Sequence, residues 1–323
     1  MRVMVTGCAG FIGSHLTESL LADGFEVLGI DCFNSNYARA DKLENLRRAR
    51  DFDAFDFVPV DLGRGDLADL VADVEVVYHL AGEPGVRSSW GGTFSTYLHN
   101  NVLATQQLLE ALKGWPGKRL VNASSSSVYG DAERLPTGED VLPRPFSPYG
   151  VTKLAAEQLA TLYHGNFDVP TVSLRYFSVY GPRQRPDMGI NKFCRAVIED
   201  RPILVFGDGT QTRDFTYVAD IVAATRAAAD SEAAVGNVYN VGGGSRVSVN
   251  EIIALLQDHT GRAIKTEHRP VQDGDVQDTG SDSSRAARDL GFSPKTPVQQ
   301  GVIAEFEWLS EELRHSRRQL IPA

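Results

Sequence analysis

The stretch Thr6-Gly7-Cys8-Ala9-Gly10-Phe11-Ile12-Gly13 constrains this chain more than any other. It follows an apolar run, Arg2–Thr6, that reads as a buried strand, and it opens Phe11–Ala22, whose apolar positions recur at helical spacing. A strand that becomes a helix across three glycines has a narrow purpose. Gly7 permits the tight turn, Gly10 lets the backbone approach a diphosphate, and Gly13 lets helix and sheet pack closely. The helix N-terminus, at Phe11 and Ile12, then offers free amide hydrogens and a partial positive charge to that diphosphate. The spacing is Gly-x-x-Gly-x-x-Gly rather than Gly-x-Gly-x-x-Gly, so the placement between strand and helix carries the signal.

The rhythm downstream fits one fold class. Further strands are predicted at Glu26–Ile30, Phe57–Val60, Val74–Leu80, Arg119–Ala123 and Val169–Leu174, with helices at Tyr97–Leu112 and Tyr149–His164. Strands alternating with helices imply parallel pairing through right-handed crossovers, hence an α/β fold with a doubly wound parallel sheet. After about Phe177 the rhythm breaks, and Gly, Pro, Asp and Arg cluster in Gly181–Asp187 and Gly207–Arg213. Tyr217–Ala229 and Val238–Val241 return to the earlier pattern, Val249–His259 and Val298–Leu309 read as helices, and the tail from Glu311 is polar and reads as frayed. The expected division is a nucleotide-binding domain over 1–176, rejoined by about 215–242, and a smaller α/β substrate-binding lobe over 177–323. With 42% hydrophobic residues in 323, there is enough apolar material for both.

The formal net charge of −10 argues against nucleic acid or an anionic membrane as partner, so any anionic substrate must be met by individual Arg or Lys residues. Three sparse cysteines, Cys8, Cys32 and Cys194, point to a reducing compartment, and the seven histidines show no metal-type spacing. The N-terminus runs straight into a strand without a signal-peptide layout, and no apolar run is long enough to span a membrane. The expected location is the cytoplasm.

Asp31 ends the second strand, 18 residues after Gly13. A carboxylate there accepts from both adenosine ribose hydroxyls and repels a 2′-phosphate, and no Arg or Lys follows at once, which favours NAD over NADP. Asp61 and Leu62 are placed to meet the adenine, Leu80, Ala81 and Gly82 to line the cofactor path, and Asn101 to contact it; His79 reads as a satisfied buried histidine. Tyr149 and Lys153 stand four apart at the start of a helix, which puts them on one face. A phenol with pKa near 10 is a poor base at neutral pH. A neighbouring ammonium and an oxidised nicotinamide favour its phenolate, so Tyr149 takes an alcohol proton while Lys153 also holds the nicotinamide ribose. A hydroxyl from Ser124–Ser127, after the fifth strand, can share that proton transfer.

With these elements in order, the chain resembles the extended short-chain dehydrogenase/reductase family of sugar-nucleotide epimerases, decarboxylases and dehydratases, over nearly its whole length from Thr6 to about Trp308. Matching stretches include Thr6–Gly13, His79–Gly82, Asn100-Asn101, Ser124–Gly130, Ser147–Lys153, Arg175–Pro182, Gly207–Asp214 and Gly274–Val276. The resemblance implies a Rossmann domain and assigns Ser125 as the hydroxyl that assists Tyr149. It adds Asn34, Ser124 and Tyr176 to the NAD site. Dehydratases of the family carry an Asp-Glu pair, and decarboxylases and mannose dehydratases a Glu before the hydrophobic-Tyr-Gly step, where this chain has Ser127. The run Arg185-Pro186-Asp187-Met188 and Ser178 resemble the UDP-glucuronate 4-epimerases. There the arginine matching Arg185 faces the uronate carboxylate, with Ser126, Ser127 and Ser178 nearby. Arg213 resembles the pyrophosphate clamp and Asp275 a nucleotide ribose contact; Arg87, Phe206 and Gln211 complete the implied substrate site. Gln272 stands where glucose epimerases often place a second phosphate-binding arginine.

The implied reaction is C4 epimerisation of UDP-glucuronate through a transient 4-keto sugar. The alternatives are a UDP-glucose/UDP-galactose 4-epimerase, then a UDP-glucuronate decarboxylase. The resemblance also implies a homodimer through the helices at Tyr97–Leu112 and Tyr149–His164, with Leu103, Leu154 and Leu162 facing outward.

Overall fold

The computed structural model describes residues 1–319. Seven strands form one parallel sheet. In chain order they are β1 (Arg2–Thr6), β2 (Glu26–Ile30), β3 (Phe55–Val58), β4 (Val76–His79), β5 (Arg119–Ser125), β6 (Thr171–Tyr176) and a last strand, Val238–Val241. Their order in space is Val238–Val241, β6, β5, β4, β1, β2, β3. The chain therefore winds one way from β1 through β2 to β3, then returns to the other side of β1 at β4. That reversal opens a crevice at the carboxyl ends of β1 and β4, where open parallel sheets bind ligands. The register puts Thr6 between Ile30 and His79.

Four of the central strands, β1, β4, β5 and β6, are buried nearly throughout, as a sheet covered on both faces requires. One face packs on α1 (Phe11–Ala22) and the helix Val218–Asp230, around Leu16, Leu20, Val172 and Ile221. The other packs on the helix Ala104–Lys113, around Leu108, Leu109 and Leu112. A separate apolar cluster joins the helices Gly189–Ile198, Val249–Thr260 and Val298–Gln319, and includes Tyr180, Cys194, Ile252 and Val302.

The structure corrects several expected boundaries. The third strand is Phe55–Val58 rather than Phe57–Val60, because its pairing with Val27–Ile30 runs out at Val58. Pairing with β5 and Val238–Val241 carries β6 to Tyr176, two residues beyond Leu174. The helix expected over Tyr97–Leu112 is interrupted. Residues Leu98–Leu103 form a wider π turn between Phe94–Tyr97 and Ala104–Lys113. Such turns recur at functional sites, and this one presents Asn100 and Asn101 to the crevice loops. The tail from Glu311 stays helical to Gln319, with Leu313 packed against the core of the separate cluster. Leu103 and Leu162 are exposed, as are Leu98 and Phe167. Leu154, expected to face outward, packs instead against Val128, Tyr129 and Phe177.

Candidate active site

Gly7 has φ +71, and a Cβ there would sit 2.8 Å from the Ala81 amide nitrogen; one on Gly13 would lie 2.1 Å from the Gly7 carbonyl oxygen. Only glycines close this turn. No side chain caps α1 at Gly10, so its first amides stay available, and Gly7, Gly10, Phe11, Ile12 and Gly13 line a cleft of about 1160 Å³, counting its open mouth. Asp31 lines the same cleft. Its carboxylate accepts from the amides of Phe33 (2.8 Å) and Ala9 (3.3 Å), which ties the end of β2 to the glycine turn. Burial pushes the Asp31 carboxyl up, against the amides and Lys42, which hold it down.

Asn34, Asp61, Leu62, Leu80, Ala81, Gly82, Ser124 and Tyr176 also line the cleft. Asp61 is already engaged there, accepting from His99 Nε2 at 2.8 Å and the Gly63 amide at 3.0 Å. The Ser124 hydroxyl donates to Glu157 at 2.7 Å, and Tyr176 shares a hydrogen bond with Thr225 at 2.7 Å. His79 hydrogen-bonds Thr6 and Thr105 through its two ring nitrogens, and burial lowers its pKa to about 3. Asn101 differs from expectation. Its amide clamps the backbone of Glu83, accepting from the nitrogen at 2.6 Å and donating to the oxygen at 3.0 Å, and it also donates to Thr152. Asn100, its neighbour in the π turn, lines the cleft in its place.

Tyr149 and Lys153 belong to the helix Pro148–Phe167, and both line the cleft beside the glycine turn. Proline at the first helical position and the Ser147 cap, accepting from Gly150 N at 3.1 Å, start the helix there. Burial pushes the Tyr149 phenol up; a hydrogen bond with Ser125 and the charge of Arg185 act the other way. Lys153 is buried, and desolvation brings its own pKa down to about 8, with Glu157 opposing.

Arg185 also lines the cleft, on a tightly held strap. Its guanidinium grips Asp187 through two hydrogen bonds of 2.9 and 2.8 Å. The strap is tied to α1 by His15, which donates to the Pro182 carbonyl, and by Arg183 on Glu18 at 2.7 Å. The carboxylate of Glu305 accepts from the Gly181 amide at 2.7 Å. Ser126 and Ser127 are half-buried in the turn after β5, where the Ser127 amide donates to Ser125 Oγ; Ser178 is half-buried between β6 and the strap.

The other expected substrate contacts gather elsewhere along the molecule, between the loop after β4 and the segments 206–213 and 275–277. Arg87 pairs with Asp275 through hydrogen bonds of 2.6 and 3.2 Å and stacks on Phe206 at 4.2 Å. Gln211 donates to the Phe206 carbonyl. Arg213 makes no ion pair with Asp214: it donates to the carbonyls of Thr212, Val276 and Gln277, and burial lowers its pKa. The sequence reading missed Glu83, Asn100, Asn36, Tyr37 and Lys42, all of which line the cleft. Two of them carried a signal: Glu83 directly follows His79–Gly82, and Asn100 belongs to the Asn100-Asn101 pair.

A doubly wound domain with a glycine turn, a Tyr–Lys pair one helical turn apart and a serine beside the tyrosine defines an extended short-chain dehydrogenase/reductase. Within that class, the chain belongs to the GDP-mannose 4,6 dehydratase family, whose model matches residues 4–304. It is 41% identical over 311 residues to an uncharacterized UDP-glucose epimerase, YtcB, of Bacillus subtilis (96% of this chain, 98% of that protein). It is 37% identical over 316 residues to a UDP-glucuronate 4-epimerase of Thermodesulfobacterium geofontis (96% of each). Among solved structures, the UDP-glucuronic acid 4-epimerase of Bacillus cereus, in complex with UDP-glucuronic acid and NAD, superposes with a TM-score of 0.94 at 43% identity, covering 97% of this chain and all of that one.

Proposed function

We propose that this chain interconverts the C4 epimers UDP-glucuronate and UDP-galacturonate with NAD held in the cleft. The residues present fit NAD. Two glycines make a cradle that any Cβ would fill, uncapped amides open α1, and a carboxylate ends β2. NAD held there would supply the acceptor and donor for the C4 hydride. Tyr149, hydrogen-bonded to Ser125, takes the C4 hydroxyl proton and gives it back on the other face, after the 4-keto sugar has turned about its diphosphate link. Lys153, which lines the same cleft, would hold the nicotinamide ribose. Residues 1–176, rejoined by 215–242, hold the cofactor, and the remainder of 177–323 holds the UDP-sugar.

The observation that carries the uronate reading is Arg185, in the same cleft as Tyr149 and close enough for its charge to act on the phenol. A 4-keto uronate is a β-keto acid and loses carbon dioxide readily. Charge leaves the carboxylate as that bond breaks, so a cation facing it stabilises the ground state and slows the loss. Ser127, where decarboxylases carry Glu, agrees. The test is Arg185→Ala followed by proton NMR. Loss of a charge-assisted hydrogen bond of about 1.5–3 kcal/mol corresponds to a roughly 10- to 150-fold fall in kcat/KM on UDP-glucuronate, with added UDP-pentose and little change on UDP-glucose. Equal effects on both sugars would remove Arg185 from this role.

One observation favours the second reading, a UDP-glucose/UDP-galactose 4-epimerase: Asp187 already neutralises much of the Arg185 charge. Wild-type turnover of UDP-glucose but not UDP-glucuronate in the same assay would establish it. The exposed Leu98 and Leu103, in the π turn, and Leu162 and Phe167, in the helix Pro148–Phe167, support a homodimer through this face. All three cysteines are free, which fits a reducing cytoplasm, and among the described residues no helix is long and apolar enough to cross a membrane.

A further inference from the structure

The sheet order places β1 between β4 and β2, so any bond from the loop after β4 to the loop after β2 must pass across the carboxyl end of β1, where the glycine turn lies. Such a bond exists. The carboxylate of Glu83, after β4, accepts from Asn34 Nδ2, after β2, at 3.0 Å. It also accepts from Asn100 Nδ2 at 3.0 Å and from the side chain of Asn36. Glu83 is 7% exposed although it lines the mouth of the cleft. Both ends of the bridge are anchored. Asn101 pins the Glu83 backbone, and buried Lys42 donates to the Asn34 carbonyl at 2.8 Å and to its side-chain oxygen.

We propose that Glu83 is a latch that closes the dinucleotide crevice and sets how slowly NAD leaves it. This rests on the reading that NAD lies along the glycine turn. A dinucleotide crossing from the β2 side to the Tyr149 side runs beneath the Glu83–Asn34 bond, and its exit requires that bond to open. The role suits an epimerase. The hydride withdrawn from C4 must return to the same sugar, so reduced cofactor that escaped in mid-cycle would strand the ketone. Glu83 is a positioning residue here: it touches neither the C4 hydroxyl nor its proton.

The test compares the wild-type holoenzyme with Glu83→Gln and Glu83→Asp. Each is passed over a desalting column, and its retained NAD and the rate of NAD release after dilution are measured. Glu83→Gln removes the charged acceptor, and Glu83→Asp keeps the charge on a stem one carbon too short to span the gap. We expect both to release NAD at least tenfold faster than wild type, with epimerase activity that falls on desalting and recovers when NAD is added. Release within twofold of wild type in both variants, or wild-type release from Glu83→Asp, would overturn the latch while leaving the epimerase reading intact. A wild-type protein that neither retains nor binds NAD would overturn the epimerase reading and the latch with it.

Discussion

Glu157 and Arg175 are the most consequential buried pair near the site. Glu157 is fully buried and Arg175 is 4% exposed. The guanidinium donates to the carboxylate twice, at 2.6 and 3.0 Å, and to the Tyr129 hydroxyl at 2.6 Å; Tyr129 in turn donates to Asn240. With the Ser124 hydroxyl on Glu157, the network joins β5, β6, the strand Val238–Val241 and the helix that carries Tyr149 and Lys153. Glu157→Gln preserves volume but leaves the arginine cation buried without its counter-charge, a loss of about 3–5 kcal/mol. Spread over a chain of this length, at about 2 °C per kcal/mol, that lowers Tm by roughly 6–10 °C, measured by circular dichroism or calorimetry. The control is Glu157→Leu with Arg175→Met, which buries no charge and should recover at least half of the loss. There is a kinetic signature as well. Glu157 is the group that holds the Lys153 pKa up against desolvation. In Glu157→Gln, Lys153 gives up its proton at lower pH, and the basic limb of kcat/KM moves toward neutrality. A melt within about 2 °C of wild type, or a double variant no more stable than the single, would refute this account.

Gly13→Ala drives a methyl to 2.1 Å from the Gly7 carbonyl, which the turn relieves only by opening. We expect a loss of about 1–3 kcal/mol in thermal unfolding together with a lower NAD content in the purified protein; a wild-type melt would contradict the packing argument. His79 gives the protein an acid-sensitive element. Its folded pKa of about 3 lies below the unfolded value of 6.5, so the unfolded state binds the extra proton. Its contribution is complete above pH 6.5 and shrinks by about 1.4 kcal/mol per pH unit below that, down toward its folded pKa. Urea titrations at pH 7 and pH 5 measure this, and His79→Gln should flatten the difference; an unchanged slope would show that other groups dominate.

Local rules made the first half of the chain legible. The alternation of strand and helix periods gave the parallel sheet, and the glycine turn was evident because φ at Gly7 and the closeness of Gly13 to the Gly7 carbonyl are properties of eight consecutive residues. The helical repeat likewise put Tyr149 and Lys153 on one face. Only folding reveals what depends on distant partners. Asn101 serves the Glu83 backbone because a π turn meets the loop after β4, and Arg87 grips Asp275 across 188 residues. Burial, which no spacing encodes, pushes the Tyr149 phenol up against the Ser125 hydrogen bond and the Arg185 charge. Periodicity and backbone sterics act within a turn or two of the chain, whereas desolvation and charge pairing depend on which surfaces the fold brings together.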